Sequence, residues 1–134
     1  MSIELVGLEE MRKYIESGKD VTKVTYLDLG GEGLKQVPNE VFSFVNLIYL
    51  NLEYNQLKAL SKEIGRLVDL VRLNLSDNQL KDLPKEICNL SNLKRFYFKG
   101  NEMPNIVKNC GKHNYNIVSV KKSNNGIIYT YVGC

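Results

Sequence analysis

The sequence predicts an α/β fold: a right-handed solenoid whose short parallel strands form a concave sheet, with a helical cap before the repeats and an antiparallel β-hairpin cap after them. Three observations predict it. Residues 47–69 and 70–92 are one 23-residue pattern written twice, LIYLNLEYNQLKALSKEIGRLVD and LVRLNLSDNQLKDLPKEICNLSN. In register, Leu47 falls on Leu70, Leu50 on Leu73, Leu52 on Leu75, Leu57 on Leu80, Leu60 on Leu83, Leu67 on Leu90 and Asn55 on Asn78. Within each copy the apolar spacing changes from two in L-x-x-L-x-L to three or four in the second half. A fixed period in the twenties marks units that bury their apolar residues only against neighbours, so stacking them makes one continuous core.

The spacing also describes a single unit. Side chains two apart in a strand share a face, so Leu50 and Leu52 point inward while Tyr49, Asn51 and Glu53 point outward. The chain must then turn, and an Asn at the corner can bond backbone groups that the turn leaves unpaired; Asn55, Asn78 and Asn101 are assigned this structural role. The return arm, apolar every three or four residues, suits a short helical or 3₁₀ segment closing the convex side.

In chain order, residues 1–23 are expected to form the helical cap, 24–114 four repeats, and 115–134 a last strand and hairpin cap, all within one domain. Leu5, Leu8, Met11 and Ile15 recur at helical intervals among charged residues, so residues 7–17 read as an amphipathic helix with Glu9 and Glu10 in its first turn and Ser17-Gly18 at its end. It either covers the first core layer or serves a partner. The first repeat is degenerate, with Leu27, Leu29, Leu34, Val37, Val41 and Phe44 in the leucine slots and Glu32 in place of the corner Asn. Gly30, Gly31 and Gly33 around it imply a looser turn. The fourth repeat puts Phe96 and Phe98 inward and continues through Met103, Ile106, Val107 and Cys110. Tyr115, Val118 and Val120 repeat the strand spacing and suggest a fifth strand. Ser123-Asn-Asn-Gly126 then reads as a turn, with residues 127–132 folding back antiparallel. Lys121 and Lys122 there would discourage edge-to-edge pairing, although the same strand could serve dimerisation.

The pattern L-x-x-L-x-L-x-x-N-x-L, with L-P-x-x-I in the return arm, resembles the leucine-rich repeat family over roughly residues 24–120. Short bacterial repeat proteins and the Ras-suppressor and plant intracellular Ras-group-related proteins carry this 23-residue form. Ser61 departs from it where Pro38 and Pro84 conform. The resemblance implies a non-catalytic module that binds other proteins through its concave strand face.

Composition bounds the function further. The 134 residues, 43% hydrophobic and 25% charged, suit one soluble domain. No apolar run approaches the ~20 residues of a membrane span, and the acidic N-terminus is unlike a secretory signal, so a cytoplasmic location is expected. Three cysteines, Cys88, Cys110 and Cys134, cannot all pair within one chain, and reduced thiols are expected. Cys110 and His113 are two ligand types without a second pair, so no metal is assigned, and no cofactor motif appears. His113 falls on a return arm and no nucleophile or phosphate-loop motif is present, which argues against an enzyme.

The outward strand positions form columns across the repeats: Tyr26, Tyr49, Arg72 and Arg95; Asp28, Asn51, Asn74 and Tyr97; Gly30, Glu53, Ser76 and Lys99. Tyr54 and Asp77 lie one position further. Tyr and Arg are the side chains most enriched at binding hot spots, so the candidate partner-binding set is Tyr26, Asp28, Tyr49, Asn51, Glu53, Tyr54, Arg72, Asn74, Arg95, Tyr97 and Lys99. Residues 1–90 carry 11 basic and 14 acidic side chains, a net of −3; residues 91–134 carry 7 and 1, a net of +6. This polarity favours a protein partner with an acidic patch. Scattered lysines without a nucleic-acid motif do not indicate nucleic acid. A monomeric adaptor or inhibitor is expected, the alternative being self-association through the terminal strand.

Overall fold

The computed structural model describes residues 2–102, 107–110 and 115–118, with side chains over 2–102. Five parallel strands form one sheet in chain order: β1 (Ile3–Val6), β2 (Val24–Asp28), β3 (Tyr49–Asn51), β4 (Arg72–Asn74) and β5 (Arg95–Tyr97). Leu27, Leu50, Leu73 and Phe96 are successive register partners, so each strand repeats 23 residues later in the same place. The return arms are 3₁₀ segments, Asn39–Ser43, Lys62–Arg66 and Lys85–Asn89. Parallel strands need a crossover connection, and each of these crossovers contains a 3₁₀ segment of five residues.

The expected leucine slots are buried in a single cluster from Leu5 to Phe98, although Leu34 is only partly covered. Phe42, not counted among those slots, is also core at 2% exposure. The corner asparagines stitch one coil to the next. Asn55 Oδ1 accepts the Glu32 and Leu34 N–H groups, each at 3.0 Å, while its Nδ2 donates to the Leu29 carbonyl at 2.9 Å and the Leu52 carbonyl at 3.0 Å. Asn78 repeats this on Leu57 N–H and the Leu52 and Leu75 carbonyls, and Asn101 on Leu80 N–H and the Leu75 and Phe98 carbonyls.

Several elements depart from expectation. Leu5 belongs to strand β1 and not to the helical period; helix α1 covers Leu8–Glu16. β1 hydrogen-bonds β2 as the first strand of the sheet, and four residues of alternation were too few to outweigh the helical spacing that overlaps them. Met11 is fully buried, and Leu8, Tyr14 and Ile15 pack against the core beside it. Glu32, in the slot of the missing Asn, turns outward and its Oε1 accepts Leu8 N–H at 3.3 Å, so it caps the first turn of α1. Asn55 of the next coil bonds the backbone around Glu32 much as Asn78 and Asn101 bond that of their preceding coils, so the first coil keeps this tie although its own corner amide is missing.

At the other end, Val107–Cys110 (β6) is a strand and not part of a return arm, and Tyr115–Val118 (β7) is not a fifth parallel strand. The two pair antiparallel as a separate ribbon. A connection of four residues suits a hairpin and is too short for the crossover that parallel pairing requires. β6 runs close to the Lys85–Asn89 segment. Cys88 in that segment is disulfide-bonded, which corrects the expectation of reduced thiols. The hairpin over residues 127–132, with Lys121 and Lys122, lies outside the described residues, as do Met103, Ile106, His113, Val120 and the side chain of Cys110.

Candidate functional site

The outward columns stand in register on the sheet: Tyr26, Tyr49, Arg72 and Arg95 are successive partners, and so are Asp28, Asn51, Asn74 and Tyr97. Tyr26 and Tyr49 stack with centroids 4.4 Å apart, and the Arg72 guanidinium sits 5.5 Å from the Tyr49 centroid. Three side chains from three coils thus form one column of rings and cation. Burial pushes the Tyr49 hydroxyl up to about 12, with nearby Tyr26 and Asp28 adding and Arg72 opposing, because an ionised phenolate would be poorly hydrated there.

The second column is largely structural. Asp28, Asn51 and Asn74 each accept the N–H two residues on, from Gly30 at 2.9 Å and from Glu53 and Ser76 at 3.0 Å, closing turns at the strand ends. Asn51 Nδ2 also donates to Asp28 Oδ1 at 3.0 Å and Glu53 Oε1 at 3.3 Å. These neighbours leave Asn51 only 4% exposed, so it is not available on the face where it was expected. Asp28, Glu53, Asn74 and Tyr97 are half-buried, whereas Arg95 and Lys99 are exposed.

Tyr54 and Asp77 occupy the left-handed region, at φ 53° and 55°. The same position in the first and fourth coils is glycine, Gly31 and Gly100, also at positive φ. Tyr54 is 64% exposed, a large ring held at a position that glycine fills without strain.

Ile48 and Val71 were missed. They precede Tyr49 and Arg72, Ile48 is 47% exposed, and with Lys94 they separate two grooves. One, of about 380 Å³, is bounded by Tyr26, Tyr49, Arg72 and Arg95; the other, of about 600 Å³, by Lys23, Asn46, Asp69 and Asn92. The available signal was two β-branched residues at equivalent positions that the leucine period does not use.

The leucine-rich repeat region model matches residues 20–112. The chain belongs to the leucine-rich repeat family. This leucine-rich repeat chain also matches 56 chains of solved structure. One is a leucine-rich repeat protein of Leptospira interrogans, at 42% identity and a TM-score of 0.59, over 63% of this chain and 22% of that one. The matched part is therefore about a fifth of the length of that protein. A comparison with curated proteins found no match. Leucine-rich repeat folds are generally scaffolds for protein interaction and typically lack catalysis. Among the described residues no helix is long and apolar enough to cross a membrane, and no three His, Cys, Asp or Glu converge as metal ligands.

Proposed function

We propose that this leucine-rich repeat module binds a partner protein through its concave sheet, as an adaptor or inhibitor working as a monomer. The observation that carries it is the Tyr26–Tyr49–Arg72 column, which three coils hold over a common core. The corner ladder of Asn55, Asn78 and Asn101 ties each coil to the one before it, so little ordering entropy remains to be lost when a partner docks. Tyr26, Tyr49, Tyr54, Arg72, Arg95, Tyr97 and Lys99 supply the contacts, while Asp28, Asn51, Glu53 and Asn74 hold the surface in shape. In this reading β1 and α1 cover the first coil.

The test is capture of the partner from the native host by the wild-type chain and by a Tyr49→Ala, Arg72→Ala double variant. Capture should be lost while the melting temperature changes by a few degrees at most; undiminished capture would remove the concave face from consideration. The alternative, self-association through residues 127–132, concerns residues outside those described. Light scattering of the chain and its Ile128→Lys variant tests it, because a monomeric wild type leaves those residues no such role.

A further inference from the structure

Arg72 and Arg95 are direct register partners on β4 and β5. Side chains so placed stand about 5 Å apart at Cβ, where like charges repel. Lys94 adds a third cation to the same groove. A surface serving only solubility would set carboxylates between them, yet among the described residues no acid lines this groove, and Asp28 and Glu53 on the same face are engaged elsewhere. Asp28 Oδ1 takes the Gly30 N–H and the Asn51 amide, and Glu53 takes the Asn51 and Asn74 amides, the latter at 3.0 Å. The ion pairs among the described residues are Lys13–Glu9, Arg66–Glu63 and Lys81–Glu102, none of which involves this groove. Ile48 and Val71 give the cations an apolar floor.

We infer that the groove takes an extended segment of a partner protein in which a carboxylate side chain neighbours an apolar one. The carboxylate sits between Arg72 and Arg95 with Lys94 at its flank, and the apolar side chain covers Ile48 and Val71. The inference rests on the concave face being the binding surface. A nucleic-acid backbone would meet the same guanidiniums, but Asp69 lines the adjoining groove together with Ile48 and Val71 and would repel a continuous polyanion. An isolated carboxylate avoids that repulsion.

A random-peptide display selection on the full chain provides the test without requiring the natural partner. Enriched peptides should place Asp or Glu beside Leu, Ile or Phe. The best of them, titrated by fluorescence anisotropy, should bind about tenfold more weakly to Arg72→Gln or to Arg95→Gln, the effect of one charge-assisted hydrogen bond. It should bind unchanged to Arg66→Gln, whose side chain lies on a return arm. Arg95 is exposed, so its variant should melt like the wild type. Enrichment of neutral or basic peptides, no enrichment at all, equal binding by the Gln variants, or displacement of the peptide by an equimolar single-stranded oligonucleotide would each overturn the inference. Host capture that still depends on Tyr49 and Arg72 while selected peptides are neutral would remove this inference and leave the binding face standing. Loss of that dependence would remove the face itself.

Discussion

Tyr26 and Tyr49 lie on neighbouring strands with their rings 15° from parallel, so each phenol covers part of the other. Burial outweighs the attraction of the Arg72 cation and holds the Tyr49 hydroxyl neutral up to about 12, against 10.0 for a free tyrosine. Since the folded value is raised, the associated stability is complete below the unfolded value and declines as pH rises from 10.0 toward about 12. A spectrophotometric titration of the native chain should show one phenolate forming well after the ordinary tyrosines, and Tyr49→Phe should delete that step.

Tyr54 is held where Gly31 and Gly100 stand in other coils. Tyr54→Gly relieves about 1–2 kcal/mol of left-handed strain, offset by about 0.5–1 kcal/mol of extra chain entropy in the unfolded state. The variant should therefore melt slightly higher while losing affinity for the partner. A destabilised variant would show that the ring contributes packing outweighing the strain.

Asn78 is 6% exposed and its amide serves backbone groups of two coils. Asn78→Ala leaves those buried groups without partners and should cost about 3 kcal/mol in urea unfolding. The exposed Asn92, with one bond to the Val68 carbonyl at 3.1 Å, is the control, and Asn92→Ala should cost about 1 kcal/mol or less.

Asp69 interrupts a second ladder. Asn46 Nδ2 donates to the Thr22 carbonyl at 2.8 Å and Asn92 to that of Val68, each bridging to the preceding coil. Asp69 holds the intermediate position and, as a carboxylate, has no N–H to give to Val45. Asp69→Asn should raise stability by about 0.5–1.5 kcal/mol through one added hydrogen bond. A loss would mean that the carboxylate has a stabilising partner of its own.

Cys88 is disulfide-bonded, so the purified chain denatured without reductant should show fewer reactive thiols than it does after reduction. Three thiols in chain isolated from the native host would place it in a reducing compartment.

Much of the fold was legible because a repeat states its own register. Once Leu50 aligns with Leu73, the inward leucines, the Asn55–Asn78–Asn101 corners and the Tyr49–Arg72 column follow without further information, since a period of 23 fixes which residues lie side by side. The columns could be written down but not their surroundings. Asn51 looked outward by alternation, and its burial depends on Asp28 from the previous strand and Glu53 from its own turn closing over it. Ile48 and Val71 were passed over because a leucine period marks the core and is silent about apolar side chains left outside it.

The sequence by itself determined the solenoid, its shared core and the order of side chains along each strand, because all three depend on spacing within and between repeats. Tertiary structure alone decided that residues 3–6 form a strand, that β6 and β7 pair with each other, and that Arg72 and Arg95 line one groove with Ile48 and Val71 and, among the described residues, no carboxylate. The physical reason is that a strand shorter than one turn of chain acquires its hydrogen bonds, and a surface charge its environment, only from neighbours distant in sequence.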